Sequence, residues 1–164
     1  TQDGERNSVI NGTTDWVYEE EFAFIKAYDW SPDSKNIAFL KFDEEKVREF
    51  SMTFYADLYP DKYEFKYPKA GEKNSTVTLH LMDVKTKQSQ EIKIGDYEYI
   101  PRMEWSPTSN TLIVQSMNRH QSSLKYHLVE SNQKVWNSKM IFEEKSDLII
   151  FHFFIQGHSF VKFF

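Results

Sequence analysis

Cysteine is absent from these 164 residues, so no disulfide framework, thiolate nucleophile or zinc–thiolate site can be built from them. Glycine and proline are scarce, at five each, and the glycines are dispersed, which leaves no phosphate-cradling loop. No Gly-x-Ser-x-Gly elbow occurs, so the chain carries no serine-hydrolase nucleophile of that kind. The histidines, His80, His120, His127, His152 and His158, lack the spacing of a zinc-binding helix, and no metal or cofactor is expected. Positive charge is also short: 20 Lys and Arg against 25 Asp and Glu give a net charge of -5. That opposes a nucleic-acid partner, because gripping a phosphate backbone needs a basic face. Long apolar runs are missing too. The most apolar stretch, Leu148 to Phe164, is broken by His152, Gln156, Gly157, His158 and Lys162. It falls short of the roughly 18 uninterrupted apolar residues of a membrane helix, and two short strands about a Gln156-Gly157 turn account for it better. The opening Thr1 to Arg6 is polar, without the apolar core of a signal peptide.

Aromatic residues are abundant. Fourteen Phe, nine Tyr and four Trp suit an all-β protein, where large flat side chains pack on pleated surfaces. Val77, Leu79 and Leu81 alternate with Thr78, His80 and Met82, the rhythm of a half-buried strand. Glu91 to Ile94 alternates again, and Leu124, Tyr126 and Leu128 are expected to form another such face. Ser131-Asn132-Gln133 then reads as a hairpin turn toward Val135 and Trp136. His80 and His127 fall mid-strand, where a satisfied structural histidine is the expectation rather than a catalytic base.

The chain also echoes itself. Tyr28-Asp29-Trp30-Ser31-Pro32-Asp33-Ser34 recurs as Met103-Glu104-Trp105-Ser106-Pro107-Thr108-Ser109, a displacement of 105 − 30 = 75 residues. In each unit the Trp is expected to end a strand in the core while the Pro fixes φ for a turn back. So long a displacement implies one repeat unit carrying a long insertion, placed at about 44–67. The single helical piece is expected from Thr14 to about Phe22, with Thr14 or Asp15 as its N-cap. It contains Glu19-Glu20-Glu21, three neighbouring carboxylates that repel one another unless a cation sits among them. Taken bare, such a run is a solvated helix face.

The run does not stand bare. Asn11-Gly12-Thr13-Thr14-Asp15-Trp16-Val17-Tyr18-Glu19-Glu20-Glu21 closely resembles the N-terminal β-propeller of the dipeptidyl peptidase IV group, in the prolyl oligopeptidase family of serine peptidases. Trp30 to Phe39 looks like the strand–turn–strand signature of a blade. Tyr67-Pro68-Lys69-Ala70-Gly71-Glu72-Lys73-Asn74 resembles this peptidase group rather than propellers generally. Tyr99 to Arg102 and Gln115 to Gln121 read the same way, so that the resemblance covers roughly residues 5 to 130, with bacterial members looking nearer. From about 139 to 164 the chain diverges.

The resemblance implies an all-β fold, about three blades of an eight-bladed propeller plus one short helix, all of 1–164 belonging to that single domain. An open arc of blades leaves edges uncovered, so the chain is expected to be a fragment of a longer protein whose α/β-hydrolase domain carries the catalytic triad. By itself the fragment should be inactive. The parent would be a serine exopeptidase releasing X-Pro, and less readily X-Ala, dipeptides. Matched residue by residue, Glu20 and Glu21 are implied to grip the α-ammonium of a peptide substrate, and Glu19 to be structural. The inserted arm, with Phe50, Phe54, Tyr55, Tyr59 and Tyr63, is implied to serve a homodimer, or else to pack on itself as a hairpin. Arg102 and Arg119 do not match the family's substrate-binding arginines and are read as structural. A periplasmic location is favoured over a secreted or membrane-anchored one. The rival readings are a non-catalytic propeller of the same family that serves as a binding or scaffold protein, and a generic scaffold propeller, which the Tyr67-to-Asn74 segment disfavours.

Overall fold

The structure is a computed structural model and describes residues 1–133 and 135–150. Eleven strands and one helix follow in order: β1 (Val9–Asn11), α1 (Trp16–Glu21), β2 (Tyr28–Trp30), β3 (Asn36–Asp43), β4 (Glu49–Phe54), β5 (Asp61–Lys66), β6 (Thr76–Asp83), β7 (Ser89–Ile92), β8 (Tyr99–Trp105), β9 (Leu112–Met117), β10 (Ser123–Asn132) and β11 (Val135–Lys145). They form two blade-like antiparallel sheets and a separate hairpin. The all-β, partial-propeller expectation holds.

In the first sheet, β1 and β2 both pair with β3, at its two ends, and β6 and β7 follow outward. The chain between β1 and β2 leaves the sheet and returns to it at one point. Gly12 N–H donates to the Leu40 carbonyl at 2.9 Å, and Leu40 N–H donates to the Ala27 carbonyl at 2.9 Å. A further bond from Ala27 N–H to the Gly12 carbonyl, 3.1 Å, closes the neck of the excursion. Gly12 makes that exit possible with φ +73°, a conformation that costs glycine nothing. The excursion carries α1.

The second sheet is a plain meander, β8-β9-β10-β11. Its apolar face and that of the first sheet share one core, in which Phe42, Leu40, Leu79, Leu81, Ile100, Leu112 and Leu124 are fully buried. The two sheets are tied at their edges as well. Trp105 Nε1–H donates to the Asp29 carbonyl at 3.2 Å, Gln90 makes two hydrogen bonds to the Trp136 backbone, and Asn110 donates to Asp33. The repeated Trp-Ser-Pro units fold alike: Ser31 N–H reaches the Asn36 carbonyl at 2.9 Å, and Ser106 N–H the Thr111 carbonyl at 2.8 Å.

Two expectations are corrected. The face expected of β10 is not its main inward one: His127 and Val129 are buried, together with Leu124, while Tyr126 and Leu128 are only half-buried. β10 runs in unbroken register along β9 from Leu124 to Val129, so His127 and Val129 share the face that meets buried Val114 and Leu112; the bulge places its extra residue, Ile141, in β11. The two tryptophans also differ. Trp105 is buried at 5 % exposure between Asp29 and Trp136, whereas Trp30 is 45 % exposed, because no sheet lies over β2 as the first sheet lies over β8 among the described residues.

Between β3 and β6 the chain forms the β4–β5 hairpin, and the first sheet resumes at Thr76. Residues 139–145 belong to β11 and complete the second sheet; the strands expected around Gln156-Gly157 lie outside the described residues. No helix among the described residues is long and apolar enough to cross a membrane.

Candidate functional site

The helix is short, six residues, and its position is set by what lies beneath it. Asp15 caps it, accepting Tyr18 N–H at 3.0 Å, with its second oxygen taken by the Ser75 hydroxyl. Of the two N-cap candidates, Asp15 is the one that serves. Val17, Tyr18 and Phe22 are buried, and Trp16 packs edge-on against Tyr67 with ring centroids 4.4 Å apart. Tyr18 sits in an aromatic cage of Phe22, Phe24, Phe42 and Tyr99. Its hydroxyl accepts Ile100 N–H from β8 at 2.8 Å, and burial holds the phenol well above its usual pKa. A neutral Tyr18 thus bolts the helix to the second sheet.

Glu19, Glu20 and Glu21 occupy the opposite face and are exposed. Among the described residues, none of their carboxylates has a hydrogen-bond or ion-pair partner. The structure therefore brings Glu20 and Glu21 side by side on the last turn of a rigidly held helix, open to solvent. Glu21 acts electrostatically on Tyr99, whose pKa is raised first by burial. Beside Tyr99, Asn74 donates to both the Tyr99 hydroxyl and Glu98, and Arg119 pairs with Glu98 at 3.0 Å. Arg119 is thus engaged in holding loops, as read.

Arg102, the other arginine, is engaged by main-chain carbonyls. It is half-buried, donates to the Phe22 carbonyl at 2.7 Å and to the Pro101 carbonyl at 2.6 Å, and lies over the Phe24 ring. Burial pulls its pKa down to about 10, so it remains cationic at neutral pH.

Beneath the helix lies a feature that sequence reading missed. Glu44, at the root of the arm, is 6 % exposed, and burial together with the neighbouring Asp15 charge raises its pKa to about 7. Asp15 is raised too, by burial against its hydrogen bonds. In the sequence, Asp43-Glu44-Glu45 is a bare charge run, and nothing marks the middle residue as inward-facing. Lys66 donates to the Val47 carbonyl at 3.0 Å, and its charge offsets the rise at Glu44 only in part.

The histidines behave as structural groups. His80 bonds Thr78 and stacks on Phe39; its pKa is lowered by burial. His127 Nε2 lies 2.8 Å from the Ser116 hydroxyl, a nucleophile–base pairing in outline. Both are buried within the sheet, at 0 % and 3 % exposure, so no substrate reaches them. No cluster of metal-ligating side chains exists among the described residues. A concavity of about 360 Å³ beside Asn74, Tyr97 and Arg119 does not include Glu20 or Glu21.

The family described as the dipeptidyl peptidase IV (DPP IV) N-terminal region matches residues 1–161. The chain belongs to that family. A crystal structure of Porphyromonas gingivalis dipeptidyl peptidase 4 superposes with a TM-score of 0.82 at 41% identity, over 90% of this chain and 21% of that one. Dipeptidyl aminopeptidase B of Saccharomyces cerevisiae is 35% identical over 147 residues, 84% of this chain and 18% of its own length. Dipeptidyl peptidase 4 of Sus scrofa is 37% identical over 105 residues, 62% of this chain and 14% of its own length. The chain therefore spans about a fifth or less of these dipeptidyl peptidase IV relatives.

Proposed function

We propose that this chain is the substrate-anchoring part of the propeller of a dipeptidyl peptidase IV-like serine exopeptidase, and that Glu20 and Glu21 bind the free α-ammonium of the peptide. One observation carries the reading: two adjacent, solvent-open carboxylates without partners stand on a helix whose other face is locked into the core. An α-amine has a pKa of about 8, so it is mostly cationic at neutral pH and can take charge-assisted hydrogen bonds from both. Consecutive helical side chains diverge, yet a glutamate is long enough for two to converge on one ammonium. Fixing the amine at a set distance from a nucleophile in another domain measures off two residues, with Pro, or less readily Ala, second. The rest of the propeller would exclude folded proteins. The parent is further proposed to be periplasmic and a homodimer through the β4–β5 arm.

The test is hydrolysis of a Gly-Pro reporter, with free and with acetylated N-terminus, by the full-length protein and its Glu20→Ala and Glu21→Ala variants. Cleavage of only the free-amine reporter, cut in each variant by a factor matching about 2–5 kcal/mol, is the expected result. Cleavage of the acetylated reporter, or unchanged variants, would return the glutamates to a solvated face. No cleavage by the unsubstituted protein would favour a non-catalytic binding propeller.

A further inference from the structure

The glutamates are followed directly by an unfavourable piece of backbone. Phe22 closes α1, its N–H donating to the Tyr18 carbonyl at 3.2 Å, and Ala23 then takes φ +54°. For a residue with a Cβ this left-handed conformation costs about 1–2 kcal/mol, and glycine is the usual occupant of such a position. It persists only where the surroundings fix it. Three contacts do so here. Arg102 Nη2 donates to the Phe22 carbonyl at 2.7 Å, the Arg102 guanidinium covers the Phe24 ring at 5.0 Å, and the Thr14 hydroxyl donates to the Phe24 carbonyl at 3.0 Å.

The end of a helix leaves carbonyls without partners and concentrates negative potential there. A guanidinium answers both needs and stays planar while it does so. The Nη1–H bond to the Pro101 carbonyl steadies the guanidinium on β8, the strand whose Ile100 N–H also holds Tyr18. One strand of the second sheet therefore holds α1 at two places, four residues apart along the helix.

We propose that Arg102 is a positioning residue for the amine anchor: by holding the Phe22 carbonyl it fixes the left-handed turn at Ala23, and so the direction in which Glu20 and Glu21 point. The inference rests on the amine-anchoring reading above. It assigns to the second sheet a part in substrate binding that it performs without touching substrate. It also gives a reason for a left-handed alanine where glycine would be easier, since the strained turn is defined only while the cation is in place.

The experiment uses the full-length protein with a free-amine Gly-Pro reporter and a reporter in which hydrogen replaces the amine. Arg102→Met is expected to raise KM for the free-amine reporter about tenfold, leaving kcat and the slow turnover of the amine-free reporter unchanged. Arg102→Lys, which keeps a cation but not the fork, should fall between. Adding Ala23→Gly to Arg102→Met should recover part of the lost KM, because glycine adopts the turn without help. If Arg102→Met does not accumulate, Arg102→Lys with and without Ala23→Gly carries the same comparison. Equal losses on both reporters, an unchanged KM, or no recovery with Ala23→Gly would overturn the proposal. Glu20→Ala and Glu21→Ala run alongside keep the two readings apart. Intact amine discrimination in those variants sinks the anchor itself, whereas lost discrimination there with an unchanged KM in Arg102→Met sinks only the role of Arg102.

Discussion

Single residues in this chain are governed by where burial puts charge. The helix cap was legible in the sequence as Thr14 or Asp15, since either side chain can accept the first free N–H groups, and Asp15 is the one that serves. Its burial and its bond to Ser75, sixty residues on, were not, because a contact of that range leaves no local trace in sequence. Glu44 shows the consequence. Its pKa is raised from 4.5 to about 7, so between those values the folded chain binds a proton that the unfolded chain has released. Stability must then fall as pH rises through that window and level off above it, by at most about 3 kcal/mol. Glu44→Gln should raise the urea midpoint of the propeller at pH 8 and leave it unchanged at pH 4. An equal effect at both pH values would mean that the pKa of Glu44 does not change on folding. His127 acts on the other side: burial lowers its pKa, so the unfolded chain gains a proton first as pH falls through 6.5, and stability is lost below that point.

At the scale of elements, strands with strict alternation were readable and the irregular ones were not. β6 buries Val77, Leu79 and Leu81 as its pattern states. In β10 the buried face is the one carrying His127 and Val129, because Tyr126 and Leu128 are apolar enough to suit either face and nothing local marks His127 as inward. The short helix was legible from its cap and its acidic turn, but its tether was not, since Arg102 looks in sequence like any strand arginine. The arm packs on itself at its root and is bare at its tip. Phe50, Phe65 and Tyr67 cluster on one another at its root, while Tyr55, Leu58 and Tyr59 at the tip are 80%, 90% and 79% exposed. Replacing those three tip residues by Ser should change stability by no more than about 0.5 kcal/mol. The proposed homodimer should nevertheless weaken, with a dissociation constant raised in analytical ultracentrifugation. A full-length protein whose association is untouched by the change would remove the tip from that interface.

The molecule as a whole reads as two blades in an arc, and the repeat itself states what each blade needs. Trp105 is covered because β2 stands beside β8; Trp30, its counterpart 105 − 30 = 75 residues earlier, stands on the outer side of β2 at 45 % exposure. In the full-length protein, fluorescence from a variant keeping Trp30 as its sole tryptophan should resist acrylamide as strongly as one keeping only Trp105. Ready quenching of Trp30 alone would mean that no blade covers it. The family and its architecture were visible in the Asp15–Glu21 string and the Trp-Ser-Pro echo. The physical basis for an anchor became visible only once the helix was seen caged on one side and bare on the other. A crystal structure of the full-length protein with an X-Pro dipeptide bound tests that claim most directly. The account predicts the dipeptide ammonium within hydrogen-bond distance, about 2.7–3.2 Å, of a carboxylate oxygen of both Glu20 and Glu21. An ammonium held elsewhere, with both glutamates still facing solvent, would contradict it.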